Sequence, residues 1–139
     1  MIVTNLEYNM SKFDVENVEK VIADLGLNVN NYFFALTKPS MLSRTLVGNI
    51  ADFSSRYAIV CFSETEINLI MLSRMSNKKV TELIRINREE IKSVKFSNIL
   101  ISYMLKMKLN DSTMNFQVFK KFGKFAKVKN SLELFKKTY

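Results

Sequence analysis

Short apolar runs repeat at about ten-residue intervals between Arg56 and Phe119, and this spacing constrains the fold more than any other feature. The runs are rich in β-branched and aromatic residues and end in polar ones, which is typical of antiparallel strands joined by tight turns. They read RYAIVCF, INLIMLS, VTELIRI and IKSVKFS, and a longer run over residues 99–109 follows them. The sequence therefore predicts a mainly β fold built as a meander.

The run over residues 99–109 has the most regular alternation. One face of the predicted strand carries six apolar residues: Ile99, Ile101, Tyr103, Leu105, Met107 and Leu109. Ser102, Lys106 and Lys108 share the other face, so we predict one buried and one solvated side. The polar turn at residues 110–112 then closes a hairpin with the run TMNFQVF.

Two stretches have the 3.6-residue period of an amphipathic helix. The first covers residues 14–25, where Asp14 is suited to cap the helix and Gly26 to end it. The second covers residues 123–138. Its apolar residues fall within roughly an 80° arc at 100° per residue: Phe125, Val128, Leu132, Phe135 and Tyr139. We predict that this stripe packs on the sheet as a cap.

The remaining segments fit a single domain spanning residues 1–139. The run NYFFALTK predicts a strand that ends at Pro39, so strands are expected across residues 31–119. The pattern from Pro39 to Ser55 has no clean period and suggests a loop that contains a short helix or strand. A hydrophobic content of 47%, three Gly and one Pro are typical of one globular domain.

This order of elements resembles the bacterial pleckstrin-homology-like (PH-like) domains. The matching pieces are a strand at 58–62, a polar turn at 63–66, a strand at 67–72, an I-x-x-V step at 91–94, a long strand at 100–109, a strand at 113–119 and a helix at 124–137. The resemblance implies a partly open barrel of about seven antiparallel strands, capped by the C-terminal helix. Some members carry an extra N-terminal helix before the first strand, as residues 14–25 would here.

The residue inventory excludes several classes of enzyme. The chain has no His, so it lacks the usual general base near neutral pH and every imidazole-based triad. Its single Cys61 lies in an apolar run and is expected to be a buried thiol. The pairs Glu64/Glu66 and Glu89/Glu90 fall in predicted exposed turns, and no phosphate-binding glycine motif occurs. We expect no catalytic site, metal or cofactor.

The net charge of +8 is unevenly distributed. Residues 1–52 hold four Lys/Arg against six Asp/Glu, whereas residues 53–139 hold seventeen against seven. Five lysines lie within residues 120–129, and the candidate anion-contact surface comprises Lys120, Lys121, Lys124 and Lys127. The favoured interpretation of this segment is a helix with a buried apolar face and solvated lysines; contact with an anionic surface and stacking of nucleic-acid bases are the alternatives. In PH relatives that bind phosphoinositides, basic residues surround the first tight turn; the corresponding region here has Lys38, Arg44 and Arg56, without a dense cluster.

The predicted function is a non-enzymatic interaction module that binds a protein partner or associates with itself through exposed strand edges. The alternative is a basic surface that binds anionic lipid or nucleic acid. The opening residues lack the pattern of a signal peptide, and no run of eighteen apolar residues predicts a transmembrane segment. A chain with one cysteine suits a reducing compartment, so we expect a cytoplasmic protein.

Overall fold

The computed structural model describes residues 1–37 and 56–139. The strands of these residues, in chain order, are β1 (Ile2–Asn9), β2 (Tyr32–Thr37), β3 (Tyr57–Phe62), β4 (Glu66–Leu72), β5 (Lys79–Asn87), β6 (Ile91–Ile99), β7 (Ser102–Leu109) and β8 (Thr113–Phe119). The helices are α1 (Val15–Asp24) and α2 (Lys127–Thr138), and a 3₁₀ turn (Arg88–Glu90) joins β5 to β6. The ambiguous segment from Pro39 to Ser55 lies outside the described residues, as do Lys38 and Arg44.

Two meanders share one open antiparallel sheet. Each strand pairs antiparallel with the next along the chain from β2 to β5 and from β6 to β8, and the strand order across the sheet is β1-β5-β4-β3-β2-β8-β7-β6. Pairing of β2 with β8 joins the two meanders, with Ala35 opposite Val118. Within residues 1–37 and 56–139, the edge strands of the sheet are therefore β1 on one side and β6 on the other.

The prediction of about seven strands with an extra helix before the first strand is wrong, because residues 1–37 and 56–139 contain eight strands and the first element is β1. The helix expected near Asp14 is α1, and it follows β1. Asp14 caps it by accepting a hydrogen bond from the backbone N–H of Asn17 at 2.9 Å. Strand β1 was missed because it is a largely exposed edge strand, where the alternation of Ile2, Leu6 and Tyr8 is weak.

The two helices cover opposite faces of the sheet, which explains why β2 and β3 are buried on both sides. Tyr32 points toward α1 and donates its hydroxyl hydrogen to Glu19 at 2.8 Å. The next residue, Phe33, points the other way and its ring centroid lies 5.1 Å from that of Phe135 on α2. A continuous apolar run in the sequence therefore corresponds to strands covered by a helix on each face.

The apolar stripe predicted for the C-terminal helix faces the sheet. Val128, Leu132 and Phe135 are buried in α2, and Phe125 is buried in the turn that precedes it. The helix begins at Lys127 rather than at Gly123, because Gly123 has φ +50° and the chain turns there before the helix starts.

The long strand predicted over residues 99–109 is interrupted. Strand β6 ends at Ile99, Leu100 and Ile101 form a two-residue turn, and β7 begins at Ser102. Ile99, predicted to be core, is 47% exposed and Ile101 is 86% exposed, whereas Leu105, Met107 and Leu109 are buried as predicted. The turn requires φ +44° at Leu100, a conformation that costs an L-residue roughly 1–2 kcal/mol and that hairpins usually assign to Gly or Asn.

Candidate functional site

A small cationic cavity lies between β7 and α2. It has a volume of about 220 Å³, and its lining residues are Tyr103, Lys120, Lys121, Lys129, Leu132, Glu133 and Lys136. Tyr103 comes from β7, and Lys120 and Lys121 directly follow the end of β8. The other four residues recur at helical spacing along one side of α2. We refer to this site as the lysine–tyrosine cavity.

The ammonium groups of two lysines lie beside the Tyr103 ring. Lys136 Nζ is 3.7 Å from the ring centroid and Lys120 Nζ is 4.6 Å from it, both within the range of cation–π attraction. A hydrogen bond with Lys136, together with the positive charges of Lys136 and Lys120, lowers the pKa of Tyr103 below its ordinary value. The cavity therefore has a positive potential at its centre, and Glu133 is the carboxylate in the lining that opposes it.

The structure separates the four lysines that the sequence grouped together. Lys120 and Lys121 line the lysine–tyrosine cavity, whereas Lys124 lines a different groove. Lys127 forms an ion pair with Glu19 at 3.0 Å and donates to the carbonyl of Val29 at 3.3 Å. Lys127 therefore ties α2 to α1.

Sequence reasoning missed four polar residues of the cavity: Tyr103, Lys129, Glu133 and Lys136. The alternation with buried residues predicts a core position for Tyr103, yet it lies at the start of β7, next to the hairpin turn, and is only half-buried. Lys129 and Lys136 are seven residues apart, a spacing that places them on one side of α2. That helical period is the signal in the sequence that could have grouped them.

A second and larger groove of about 720 Å³ runs between the start of α1 and the segment before α2. Phe13, Phe122 and Phe125 contribute aromatic rings to its wall, and these rings pack on one another at centroid distances of 5.6 to 6.1 Å. Its lining charges are mixed, since Asp14 and Glu16 accompany Lys12, Lys121 and Lys124. The groove therefore favours an anion less than the lysine–tyrosine cavity does.

The β6–β7 hairpin ends next to the lysine–tyrosine cavity. Its tip, residues 99–101, has Leu100 91% exposed and flanked by the exposed Ile99 and Ile101. Lys120 Nζ donates to the carbonyl of Leu100 at 2.9 Å and to the side-chain oxygen of Asn98. The same ammonium group thus contacts both the hairpin tip and the Tyr103 ring.

Arg56, considered above as a basic residue near the first tight turn, is directed into the protein. It is 7% exposed, it pairs with Glu82 at 2.5 Å, and its Nε donates to the carbonyl of Leu72 at 3.1 Å. Its guanidinium group stabilises the packing of β3 and β4 against β5. A phosphate group at the protein surface does not reach it.

Of the other five candidate reactive groups, three occupy structural positions and two are exposed. Cys61 is buried, and burial raises the pKa of its thiol. Glu66 pairs with Arg85 at 3.4 Å and Glu90 with the N-terminal ammonium at 2.5 Å, while Glu64 and Glu89 are exposed. Among the described residues, no three His, Cys, Asp or Glu side chains are grouped so as to hold a metal ion.

No helix in residues 1–37 and 56–139 is both long and apolar enough to cross a membrane. Comparison of the chain with models of known protein families, with curated proteins and with solved structures found no match. Evidence on function therefore comes from the geometry of this chain.

Proposed function

We propose that this chain is a non-enzymatic interaction module of the PH-like type, and that it binds a phosphate-bearing anion in the lysine–tyrosine cavity. The observation that carries the proposal is the clustering of Lys120, Lys121, Lys129 and Lys136 around Tyr103, with Glu133 as the opposing charge. Ammonium groups at the rim of one small cavity attract a compact anion more strongly than the same charges spread over a surface.

The sheet order supports the PH-like assignment. A four-stranded meander (β2 to β5) and a three-stranded meander (β6 to β8) meet at the β2–β8 pair, and the chain ends in a helix that packs on one face. This is the order of elements expected of a PH-like domain. Strand β1 and helix α1 are then additions at the N-terminal side.

The positions of the reactive groups support a function without catalysis. The Cys61 thiol is buried and held in its protonated form, so it is a poor nucleophile. The carboxylates of Glu66 and Glu90 form ion pairs, and the chain has no His. A binding function requires none of these groups, whereas the lysine–tyrosine cavity supplies what an anion needs.

Calorimetric titration with inorganic pyrophosphate at low ionic strength tests the anion site. We expect the double variant Lys129→Gln/Lys136→Gln to weaken binding roughly tenfold or more, because it removes two of the ammonium groups that line the cavity. The matched control Lys124→Gln/Lys137→Gln removes the same net charge outside the cavity and should bind almost as tightly as the wild type. Equal losses in both variants would mean that pyrophosphate binds by overall charge, and the proposal would be wrong.

Tyr103 provides a second readout of the same site. Because Lys136 and Lys120 lower its pKa, an anion that neutralises these lysines should raise the pKa of Tyr103 toward its ordinary value. Ultraviolet titration of tyrosinate with and without pyrophosphate measures this shift, and Tyr103→Phe identifies the contribution of this tyrosine. A pKa of Tyr103 that does not change in saturating pyrophosphate would place the bound anion elsewhere.

A second candidate function, self-association by strand addition, is favoured by β1 and β6, which are the two edge strands of the sheet formed by the described residues. On β1, Ile2 is 62% exposed and Val3 is 39% exposed, which gives that edge an apolar surface. Light scattering should then show a dimer at high concentration, and Val3→Lys should shift it toward monomer. A monomer at every concentration removes this candidate.

A further inference from the structure

The hairpin tip at residues 99–101 is the most exposed aliphatic segment of the described chain. Leu100 is 91% exposed, Ile101 is 86% exposed, and Ile99 is 47% exposed. Two-residue hairpin turns are normally polar and contain Gly or Asn. Neither the core nor the turn geometry requires aliphatic side chains here, so their presence at a protruding tip indicates a contact outside the chain.

Lysines flank this tip on both faces of the hairpin. On the face of the hairpin that carries Tyr103 and is turned toward α2, the ammonium groups of Lys120 and Lys136 lie beside the Tyr103 ring. On the opposite face, Lys95 of β6 and Lys106 of β7 are directly opposed and exposed. Like charges in that position disfavour the pairing of the two strands, and a negatively charged surface against this face would reduce their repulsion.

We propose that the hairpin tip inserts into the interface of an anionic membrane while the flanking lysines contact lipid headgroups. The inference rests on the proposed function: the phosphate bound in the lysine–tyrosine cavity would belong to one of those lipids. Lys120 joins the two parts, because its ammonium group contacts both the Leu100 carbonyl and the Tyr103 ring.

The dimensions of the hairpin agree with this arrangement. Lys95 precedes Ile99 by four strand residues, or about 13 Å. Interfacial apolar groups are buried to a depth of roughly 5–10 Å, so this lysine would lie near the headgroups when the tip is inserted. At physiological salt the screening length is about 8 Å, which makes that distance short enough for attraction to anionic lipid.

Other occupants fit the tip less well. Leu100 and Ile101 have no π face on which a nucleic-acid base could stack. A second copy of the chain would bring one lysine-flanked tip against another, and the repulsion would oppose association. An anionic bilayer offers an apolar environment to the aliphatic tip and negatively charged headgroups to the lysines around it.

Vesicle sedimentation measures the proposed contact. The protein should bind phosphatidylcholine vesicles that contain about one third phosphatidylserine, and bind pure phosphatidylcholine vesicles weakly. The variant Leu100→Gly/Ile101→Ser should reduce the partition coefficient roughly tenfold or more, since it removes two exposed aliphatic side chains. Because Gly accepts the φ of +44° at this position, the hairpin should fold at least as well as in the wild type.

Leu134→Ser is the matched control for this variant. Leu134 is 43% exposed on α2, away from the tip, so its substitution should leave vesicle binding unchanged. Equal binding of the wild type and the tip variant to the anionic vesicles would overturn the inference. The inference would also be wrong if the tip variant still bound vesicles but lost a dimer that the wild type forms. The same holds if it lost a wild-type complex with single-stranded oligonucleotide while vesicle binding persisted.

A fluorescence experiment reports the position of the tip. The chain has no Trp, so Ile101→Trp introduces one emission probe at the tip. Its emission should shift to shorter wavelength, and its quenching by acrylamide should fall, when anionic vesicles are added. The corresponding Leu134→Trp protein should show neither change; an Ile101→Trp probe that stays accessible to acrylamide on bound vesicles would contradict insertion.

Pyrophosphate titration of the same variants separates this inference from the proposed function. If the tip variant keeps pyrophosphate affinity and loses vesicle binding, both proposals stand. If the tip variant keeps both pyrophosphate affinity and vesicle binding, membrane insertion of the tip is wrong and the anion site stands. If the wild-type protein binds vesicles through the tip but does not bind pyrophosphate, the anion site is wrong.

Discussion

Phe135→Ala should produce a large loss of stability, because Phe135 is the central residue of the interface between α2 and the sheet. Its side chain is fully buried. The rings of Phe33, Phe62, Phe96 and Tyr139 surround it at centroid distances between 5.0 and 5.7 Å. Truncation of a buried Phe costs about 3–5 kcal/mol, and loss of aromatic pairs adds to the transfer and cavity terms. We expect a decrease of about 4–5 kcal/mol in the free energy of unfolding.

Urea unfolding followed by circular dichroism gives this difference directly. For a domain with a total stability of about 5–15 kcal/mol, the loss is about a quarter or more of the total. The melting temperature should fall on the order of 10–20 °C for a chain of this size. The slope of the urea transition should stay the same, because the substitution changes the stability of the folded state and not the surface exposed on unfolding.

Leu134→Ala is the control, since it removes a side chain of similar size from the adjacent, outward-facing position of the same helix. With 43% of Leu134 exposed, the change should be well under that of Phe135→Ala, at about 0.5 kcal/mol. Two variants of equal stability, or a Phe135→Ala protein within about 1 kcal/mol of the wild type, would show that α2 does not close the core through this ring.

Two further predictions concern titratable groups. The pKa of Asp14 is lower than its ordinary value, chiefly because the carboxylate accepts a hydrogen bond from the Asn17 backbone. The contribution of this cap to the free energy of unfolding is therefore fully present above the ordinary Asp pKa. It is lost as pH falls through the lower pKa of the folded state. Urea midpoints of the wild type should therefore drop at low pH more than those of Asp14→Asn, which keeps a cap that cannot ionise; parallel pH profiles would contradict this. Native Cys61 should resist iodoacetamide, because burial keeps its thiol protonated and inaccessible, and should react after unfolding in urea; mass spectrometry showing equal labelling rates in both states would disprove its burial.

Local rules predicted those parts of the fold in which a residue's neighbours in the sequence are also its neighbours in space. Alternation correctly assigned Leu105, Met107 and Leu109 to the core, and the capping rule located Asp14. The same rules failed at Leu100, since a tight turn was expected to contain polar residues and here it is aliphatic. Turns are usually polar because their side chains face water as well as because of their geometry. A turn whose side chains contact another molecule need not follow this preference for polar residues.

The candidate site was harder to predict because its charges meet through long-range contacts. Lys127 was grouped with Lys120 from their closeness in sequence, yet it pairs with Glu19, 108 residues away. Lys136 was not chosen, although the packing of α2 against β7 brings it to Tyr103. Which lysine is paired and which lines a cavity depends on the angle at which α2 meets the sheet, and this angle is set by packing across the core.

The two sides of α2 separate stability from the proposed function. Phe135 faces the core and the next residue, Lys136, faces the lysine–tyrosine cavity, because successive helical residues are 100° apart. An exposed lysine contributes little to stability, so neutralising Lys129 and Lys136 should leave the melting temperature nearly unchanged while it weakens anion binding. A helix that served only as a cap would need the apolar stripe alone. In the proposed function, the cluster of lysines on its other side, beside Tyr103, binds a negatively charged ligand.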